Sequence, residues 1–327
     1  MLQIFARAGR GLRSTAPVDV EHLPDDALWL DLLEPTAEEL RTIERQLGID
    51  TPTREEMREI EASSRVYEEG GGLYLTATLL YQADTLPPRT TDVSFILKDE
   101  RLITMRFADP QPFRSMASRI ERYGAGLTTA HGVFFWLLDS IIARVADVME
   151  RSALDLDELS DSIFGAARKS GKEEKPDLLE ALERVGRNGA TMAKASESLH
   201  TLQRILLAVG TADSLPQLGR KDARQRAKAL TRDVQSLTDQ LSRIDTKIDL
   251  LLNATLGLIN IEQNNTIKIF SVVAVVFLPP TLIASIYGMN FGFMPELNWH
   301  LGYPLAILLM VISAIMPFAY FKRKGWL

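Results

Sequence analysis

The amino-acid sequence predicts an α+β domain, then a long helical stalk, then two C-terminal transmembrane helices. Three observations carry this. Residues 1–125 mix short β-branched and aromatic runs with short amphipathic ones; from about Asp109 the pattern turns helical and stays so; and two charge-free apolar runs, Ile269–Tyr287 and Tyr303–Phe321, close the chain. A run of roughly 20 apolar residues is about what crosses a ~30 Å hydrocarbon core as a helix. Divided on this pattern, the chain has an α/β domain over 1–125, a helical hairpin over 126–219, and a stalk helix over 220–287 that continues into the first span. A connecting loop over 288–302 and a second span with a basic tail over 303–327 complete it.

In the first domain, Ala27–Leu33 reads as a strand. Thr36 with Glu39 three residues on is a capping-box pattern, opening a helix to about Leu47. Thr53 before Arg54–Ile60 suggests a second short helix, and Leu73–Tyr81 a strand. Val93–Leu97 and Leu102–Phe107 flank Lys98–Arg101 as a hairpin. Gly70-Gly71-Gly72 is a turn without the Gly-Lys-Ser/Thr ending of a phosphate loop. Helices follow over Gln111–Tyr123, His131–Ile163 and Asp177–Val209, broken by polar turns at Ser170–Pro176 and Gly210–Gly219, so the last two should lie antiparallel.

The next helix carries a coiled-coil period: Leu230, Val234, Leu237, Leu241, Ile244, Ile248, Leu251, Thr255 and Leu258 alternate steps of four and three. No stop signal separates it from the first span, and Gly257 is its one weak point. One helix from about Lys221 to Tyr287 would be a rod of ~100 Å. Such an amphipathic rod packs against the preceding helix pair, against copies of itself, or both.

Composition bounds the rest. The N-terminal Met1–Arg10 has no apolar stretch of leader length. The chain has no cysteine, which removes disulfides and thiolate metal sites and fits a reducing compartment. A net charge of −6 argues against nonspecific nucleic-acid binding. The connecting loop has no Lys or Arg, while Lys322-Arg323-Lys324 follow the second span. The positive-inside rule then puts both termini and the large domain in the cytoplasm.

On the first span Asn260, Asn264, Ile267, Ser271, Ala274, Leu278, Thr281 and Ser285 share one face. Polar groups at membrane depth face protein or water. Two readings stay open: a pore-lining stripe, constricted at Ile267 and Leu278, or a small-residue helix contact with hydroxyls bonded to their own backbone. Pro279-Pro280 removes the partners of carbonyls near Val275 and Val276, as a plain kink or with those carbonyls turned to a pore. The Tyr287-Gly288-Met289-Asn290-Phe291 loop offers neutral carbonyl oxygens, which suit a ligand that binds weakly and leaves.

These residues resemble a known family. Tyr287-Gly-Met-Asn290, Met294-Pro-Glu-Leu297 and Phe321–Leu327 look like the CorA magnesium transport family, notably its enterobacterial-type branch. Trp29–Pro35 and Val93–Phe107 resemble its cytoplasmic domain more loosely. The resemblance implies a funnel-shaped homopentamer in the bacterial inner membrane, with the first span lining a central pore and the second facing lipid. It implies a selectivity filter at Gly288, Met289 and Asn290, with Asn290 meeting Mg²⁺ through its water shell. It favours the pore-lining reading for Asn264, Ile267, Ser271, Ala274, Leu278 and Thr281, although the family commonly has Met where Ile267 and Leu278 stand. Closure when internal Mg²⁺ binds between cytoplasmic domains, and Co²⁺ or Ni²⁺ as further cargo, are also implied.

Regulatory ligands carry no motif. Asp84, Asp92, Asp155, Asp157 and Asp161 are candidates, against the plainer reading of a solvated acidic face. Lys322, Arg323 and Lys324 read as a topology anchor and, around a pentamer, as a basic ring at the inner mouth. No nucleophile–base pairing points to an enzyme. Two rivals remain: a proton-coupled Zn²⁺ transporter of the same fold, and a non-conducting membrane-tethered coiled-coil sensor.

Overall fold

Seven strands make one mixed sheet in the computed structural model, which describes residues 1–9, 11–15, 23–59, 61–83, 85, 87–123, 127–168, 177–211, 220–290, 292, 294–295 and 299–326. The strands are β1 (Leu2–Ala8), β2 (Gly11–Thr15), β3 (Ala27–Leu33), β4 (Val66–Glu69), β5 (Gly72–Tyr81), β6 (Arg89–Lys98) and β7 (Arg101–Arg106). Their order is β2-β1-β3-β7-β6-β5-β4. Only β3 and β7 pair in parallel; every other neighbour is antiparallel. The helices are α1 (Ala37–Leu47), α2 (Ala62–Arg65), α3 (Gln111–Tyr123), α4 (Ala130–Arg168), α5 (Leu178–Thr211), α6 (Arg220–Tyr287) and α7 (Gly302–Arg323). The chain divides into two units, Met1–Leu252 and Asn253–Leu327.

Strand β3 is buried nearly end to end because both sheet faces are covered. Leu30 and Leu32 join Ile43 of α1 and Ile103 and Met105 of β7 in one core layer. Trp29 points the other way, stacking on Phe5 with centroids 4.3 Å apart and meeting Phe113 of α3 at 6.4 Å. Phe95 extends that aromatic layer to Phe134 of α4.

The predicted capping box forms: Thr36 N–H donates to Glu39 Oε2 at 2.8 Å and Glu39 N–H donates to Thr36 Oγ1 at 3.2 Å. Gly48, at φ 59°, ends α1 in the left-handed conformation that favours glycine. The β6–β7 hairpin turns through Asp99 and Glu100, both at positive φ. Strands β1 and β2 have no counterpart in the sequence reading, which found no leader-length apolar stretch in Met1–Arg10 and assigned no element there. The helix expected over Arg54–Ile60 is reduced to a single 3-10 turn, Glu56–Arg58. Thr53 and Glu56 cap it reciprocally, but Glu59 is extended (ψ 140°) and its carbonyl accepts from Arg65 Nε at 2.6 Å. That bond to a side chain takes the place of helix continuation.

Helices α4 and α5 run antiparallel, as expected, since Asp155 meets Arg184 and Asn188 across the pair. Helix α5 is fastened to the sheet where β4 leaves β5 unpaired: Thr78 N–H donates to Thr201 Oγ1 at 3.1 Å, and Thr201 Oγ1 donates to Thr78 O at 3.3 Å. The heptad positions of α6 up to Leu251 are buried, apart from a half-buried Leu237, and its outer faces are exposed. This seam lies against the preceding helices: Lys247 pairs with Asp157 of α4, Gln203 Nε2 of α5 donates to Gln235 at 3.4 Å, and Gly189 of α5 faces Ile248. The preceding helix pair is therefore one partner of the rod. The polar turn at Ser170–Pro176, and the Gly210–Gly219 turn beyond Thr211, lie outside the described residues.

Candidate ion pathway

Helix α6 runs unbroken from Arg220 to Tyr287, through Gly257, Pro279 and Pro280. Two helices, the end of α6 and α7, are long and apolar enough to cross a membrane. Both present large apolar side chains outward, among them Phe270, Phe277 and Leu282 on α6 and Leu308, Ile315 and Met316 on α7.

The described residues of the two spans that are covered fall on one face of each. On α6 that face is Val272, Val276, Pro279, Pro280, Ile283 and Tyr287; on α7 it is Gly302, Ala306, Met310, Ser313, Ala314, Pro317 and Phe321. The α7 face is rich in small residues, which permit close helix approach. At ~100° per residue, the predicted stripe Ile267, Ser271, Ala274, Leu278, Thr281 and Ser285 lies about half a turn from the covered face. All six stripe residues, and Asn264 before them, are exposed. The second reading of the stripe is met in part, since Thr281 Oγ1 donates back to Phe277 O at 2.7 Å. Its other half is not met within this chain, because the stripe faces away from the covered surface.

The stripe ends at the Gly-Met-Asn turn. Gly288 N–H donates to Ala284 O at 2.9 Å and Met289 N–H to Ile286 O at 3.3 Å, which closes the helix. A Cβ on Gly288 would stand 3.1 Å from that same Ala284 oxygen. Asn290 is exposed. Phe291 and Glu296–Asn298 lie outside the described residues, which leaves only the first half of Met294–Leu297 in view.

At the other end of α7, Lys322 and Arg323 occupy the last turn. Gly325 (φ 72°) follows Lys324, Gly325 N–H donates to Lys322 O at 3.2 Å, and Trp326 N–H donates to Phe321 O at 3.1 Å. Those are the two bonds of a Schellman cap, completed by Trp326 stacking on Phe321 at 5.2 Å. Lys324 Nζ lies over the Tyr320 and Trp326 rings at 5.3 and 5.9 Å.

The candidate regulatory carboxylates do not come together. Asp84 lies outside the described residues. Asp92 accepts from Thr78 Oγ1 at 2.6 Å and Arg65 Nη2 at 3.5 Å. Burial alone would raise the pKa of Asp155, but Arg184 at 2.5 Å and Asn188 at 2.6 Å hold it below the usual carboxylate value. Asp157 pairs with Lys247, and Asp161 is exposed. Asp50, Glu56, Glu59 and Glu69 line a cavity of about 330 Å³ that no sequence spacing indicated. Among the described residues no three His, Asp or Glu side chains converge as metal ligands.

A buried charge network also went unread in the sequence. Asp31 accepts from Arg106 Nη2 at 2.8 Å and from Thr104 Oγ1 at 2.7 Å, and Thr104 accepts from Trp29 Nε1 at 2.9 Å. Arg106 also binds Asp109 at 2.6 Å and covers the Phe113 ring at 4.7 Å.

A family model described as CorA-like Mg2+ transporter protein matches residues 24–323. The chain belongs to this family. It is 37% identical over 304 residues to the magnesium transport protein CorA of Salmonella typhimurium, covering 92% of each chain. The CorA protein of Escherichia coli K12 matches at the same identity and coverage. Among solved structures, the complete CorA magnesium transporter from Methanocaldococcus jannaschii aligns over 100% of this chain and 99% of its own, with TM-score 0.77 and 21% identity. The full-length CmaX protein aligns with TM-score 0.67 and 18% identity, over 100% and 98%. At those identities the structural likeness speaks for the fold: a mixed-sheet domain, a long helix and two apolar helices. The family supports Mg²⁺ transport as the activity.

Proposed function

We propose that this chain transports Mg²⁺ across the bacterial inner membrane as a homopentamer, with the α6 stripes facing a central pore. The observation that carries the reading is the half-turn separation: α6 turns one face to cover within its own unit and leaves an uncovered polar face that ends at Gly288-Met289-Asn290. The family and the 37%-identical relatives, named as magnesium transport proteins, support Mg²⁺ as the cargo. They give no support to the zinc reading.

Mg²⁺ dehydrates reluctantly. A ring of Asn290 amide oxygens with Gly288 carbonyls would therefore hold the ion through its water shell, weakly enough for release. Asn264, Ser271 and Thr281 would keep the pore wet, and Ile267 and Leu278 would close it by dewetting. Co²⁺ and Ni²⁺, as hydrated divalent ions, would share the path. Lys322, Arg323 and Lys324 would set both termini in the cytoplasm and ring the inner mouth. Closure by internal Mg²⁺ belongs to this reading through the family resemblance. We assign it no ligands, since Asp92, Asp155 and Asp157 are engaged with Arg65, Arg184 and Lys247.

Asn290→Ala tests the filter. Mg²⁺ uptake should vanish in a protein that still inserts and elutes as the wild-type oligomer; uptake at the wild-type rate rejects the assignment. Flux into liposomes with and without a pH gradient separates this mechanism from proton coupling.

A further inference from the structure

We propose that the C-terminal end of α7 docks the headgroup of an acidic phospholipid, which rests on the reading of α7 as a membrane span and names the lipid class that meets it. Lys322, Arg323 and Lys324 are the cations of this site, and Tyr320 and Trp326 fix its depth. Three cations follow the last apolar residue of the span, and α7 itself carries no acidic residue. On α6 the last acid before the first span is Glu262, and Lys268 follows it. Two consecutive spans bring Lys268 and the Lys322–Lys324 group to the same side of a membrane. That boundary then carries four cations for one nearby carboxylate. Lys322, Arg323 and Lys324 are exposed, and among the described residues none of them is paired with a carboxylate. The dipole of α7 places only about half a negative charge at this helix end.

The aromatic frame is the second observation. Trp326 stacks on Phe321 at 5.2 Å, Tyr320 meets Phe321 edge-on at 5.6 Å, and Lys324 Nζ lies over the Tyr320 and Trp326 rings. Tyr320 is 56% exposed and Trp326 39%. Tyrosine and tryptophan settle at the headgroup level of a bilayer. The rings therefore hold Lys324 at that level, and Lys322 and Arg323 stand within ~3 Å of the same depth along the axis. An acidic phospholipid brings phosphate oxygens and a net negative charge to that depth, and each Lys or Arg near a bilayer surface favours it. Arg323 adds a planar fork of donors that matches a phosphate.

Tryptophan quenching by brominated lipid tests the site. The chain has four tryptophans; Trp29 and Trp136 lie in the first unit, and Trp299→Phe removes the one before α7. Trp326→Phe in that background gives the signal to subtract. The full-length protein is reconstituted in phosphatidylcholine vesicles that hold the same low fraction of brominated phosphatidylcholine or brominated phosphatidylglycerol. Trp326 should be quenched at least about twice as strongly by the acidic lipid, and high salt should narrow the difference. Changing Lys322, Arg323 and Lys324 together to Gln should bring the two lipids level, whereas Lys322→Arg with Lys324→Arg should keep the preference. If the triple variant does not insert, the single changes Lys322→Gln, Arg323→Gln and Lys324→Gln should each lower it. Equal quenching by the two lipids in the Trp299→Phe protein, or an undiminished preference in the Gln variants, overturns the proposal and leaves the span in place. Quenching of Trp326 by neither lipid overturns the proposal together with the membrane reading of α7.

Discussion

Asp31 is a charge 2% exposed inside an α/β core, held by Arg106 and Thr104. Removing one partner leaves the other buried and uncompensated, a loss of about 3–5 kcal/mol. Asp31→Ala should lower the unfolding free energy of the full chain by that order, read by hydrogen exchange at β3 and β7; an effect within ~0.5 kcal/mol removes the network from the stability of the sheet. His131 gives a pH dependence. Burial holds its pKa below 6.5 although Glu100 pulls it up. The unfolded chain takes up a proton near 6.5 before the folded one does, so stability falls as pH drops below 6.5 and is retained above it. Asp155, held low by Arg184, adds a loss of the same sign below 3.8. His131→Gln should flatten thermal stability against pH just below 6.5, and an unchanged slope assigns it to other groups. Neither residue was legible in the sequence. Asp31 looked like one polar letter in an apolar strand, and its partners arrive 73 and 75 positions later through strand pairing.

At the scale of elements, local signals read well where they were self-contained. The Thr36–Glu39 box, the turn at Asp99-Glu100 and the seam of α6 each depend on residues within one or two turns. The Arg54–Ile60 segment failed because a distant donor, Arg65, took the Glu59 carbonyl. The strands β1 and β2 failed because their pairing with β3 is non-local, and Met1–Arg10 alone gives a weak pattern. The seam makes its own prediction. Leu241 is 6% exposed and Leu250 is 59% exposed. Leu241→Ala should cost about 2–5 kcal/mol by cavity formation. Leu250→Ala should stay within ~0.5 kcal/mol unless a second copy covers that face. Denaturant unfolding of the pair reads both, and equal costs would mean that the rod is packed on all sides by its oligomer.

For the whole molecule, the family and the length of the match account for the order of parts: sheet domain, helix pair, long helix, short turn, second span. The two apolar helices were more legible than the sheet domain, because a span needs one long uninterrupted apolar run. The chain has no cysteine, so single cysteines can be added without a background to remove. Ser271→Cys should be blocked by a charged, membrane-impermeant thiol reagent, with flux falling in step, whereas Val273→Cys should not react. Equal labelling at both positions would break the division of α6 into a wet face and a lipid face.

That division has an energetic consequence for a lone copy. On the proposed reading, a single α6 in a bilayer would turn Ser271 toward acyl chains, where hydrocarbon offers its hydroxyl no outside partner, while Thr281 keeps its bond to Phe277 O. The cost disappears when several copies turn their polar faces inward around shared water. If α6 lines a shared pore as proposed, solvation by lipid penalises dilution: spreading the chains through more membrane would raise the free energy of each, and the bilayer itself would gather them.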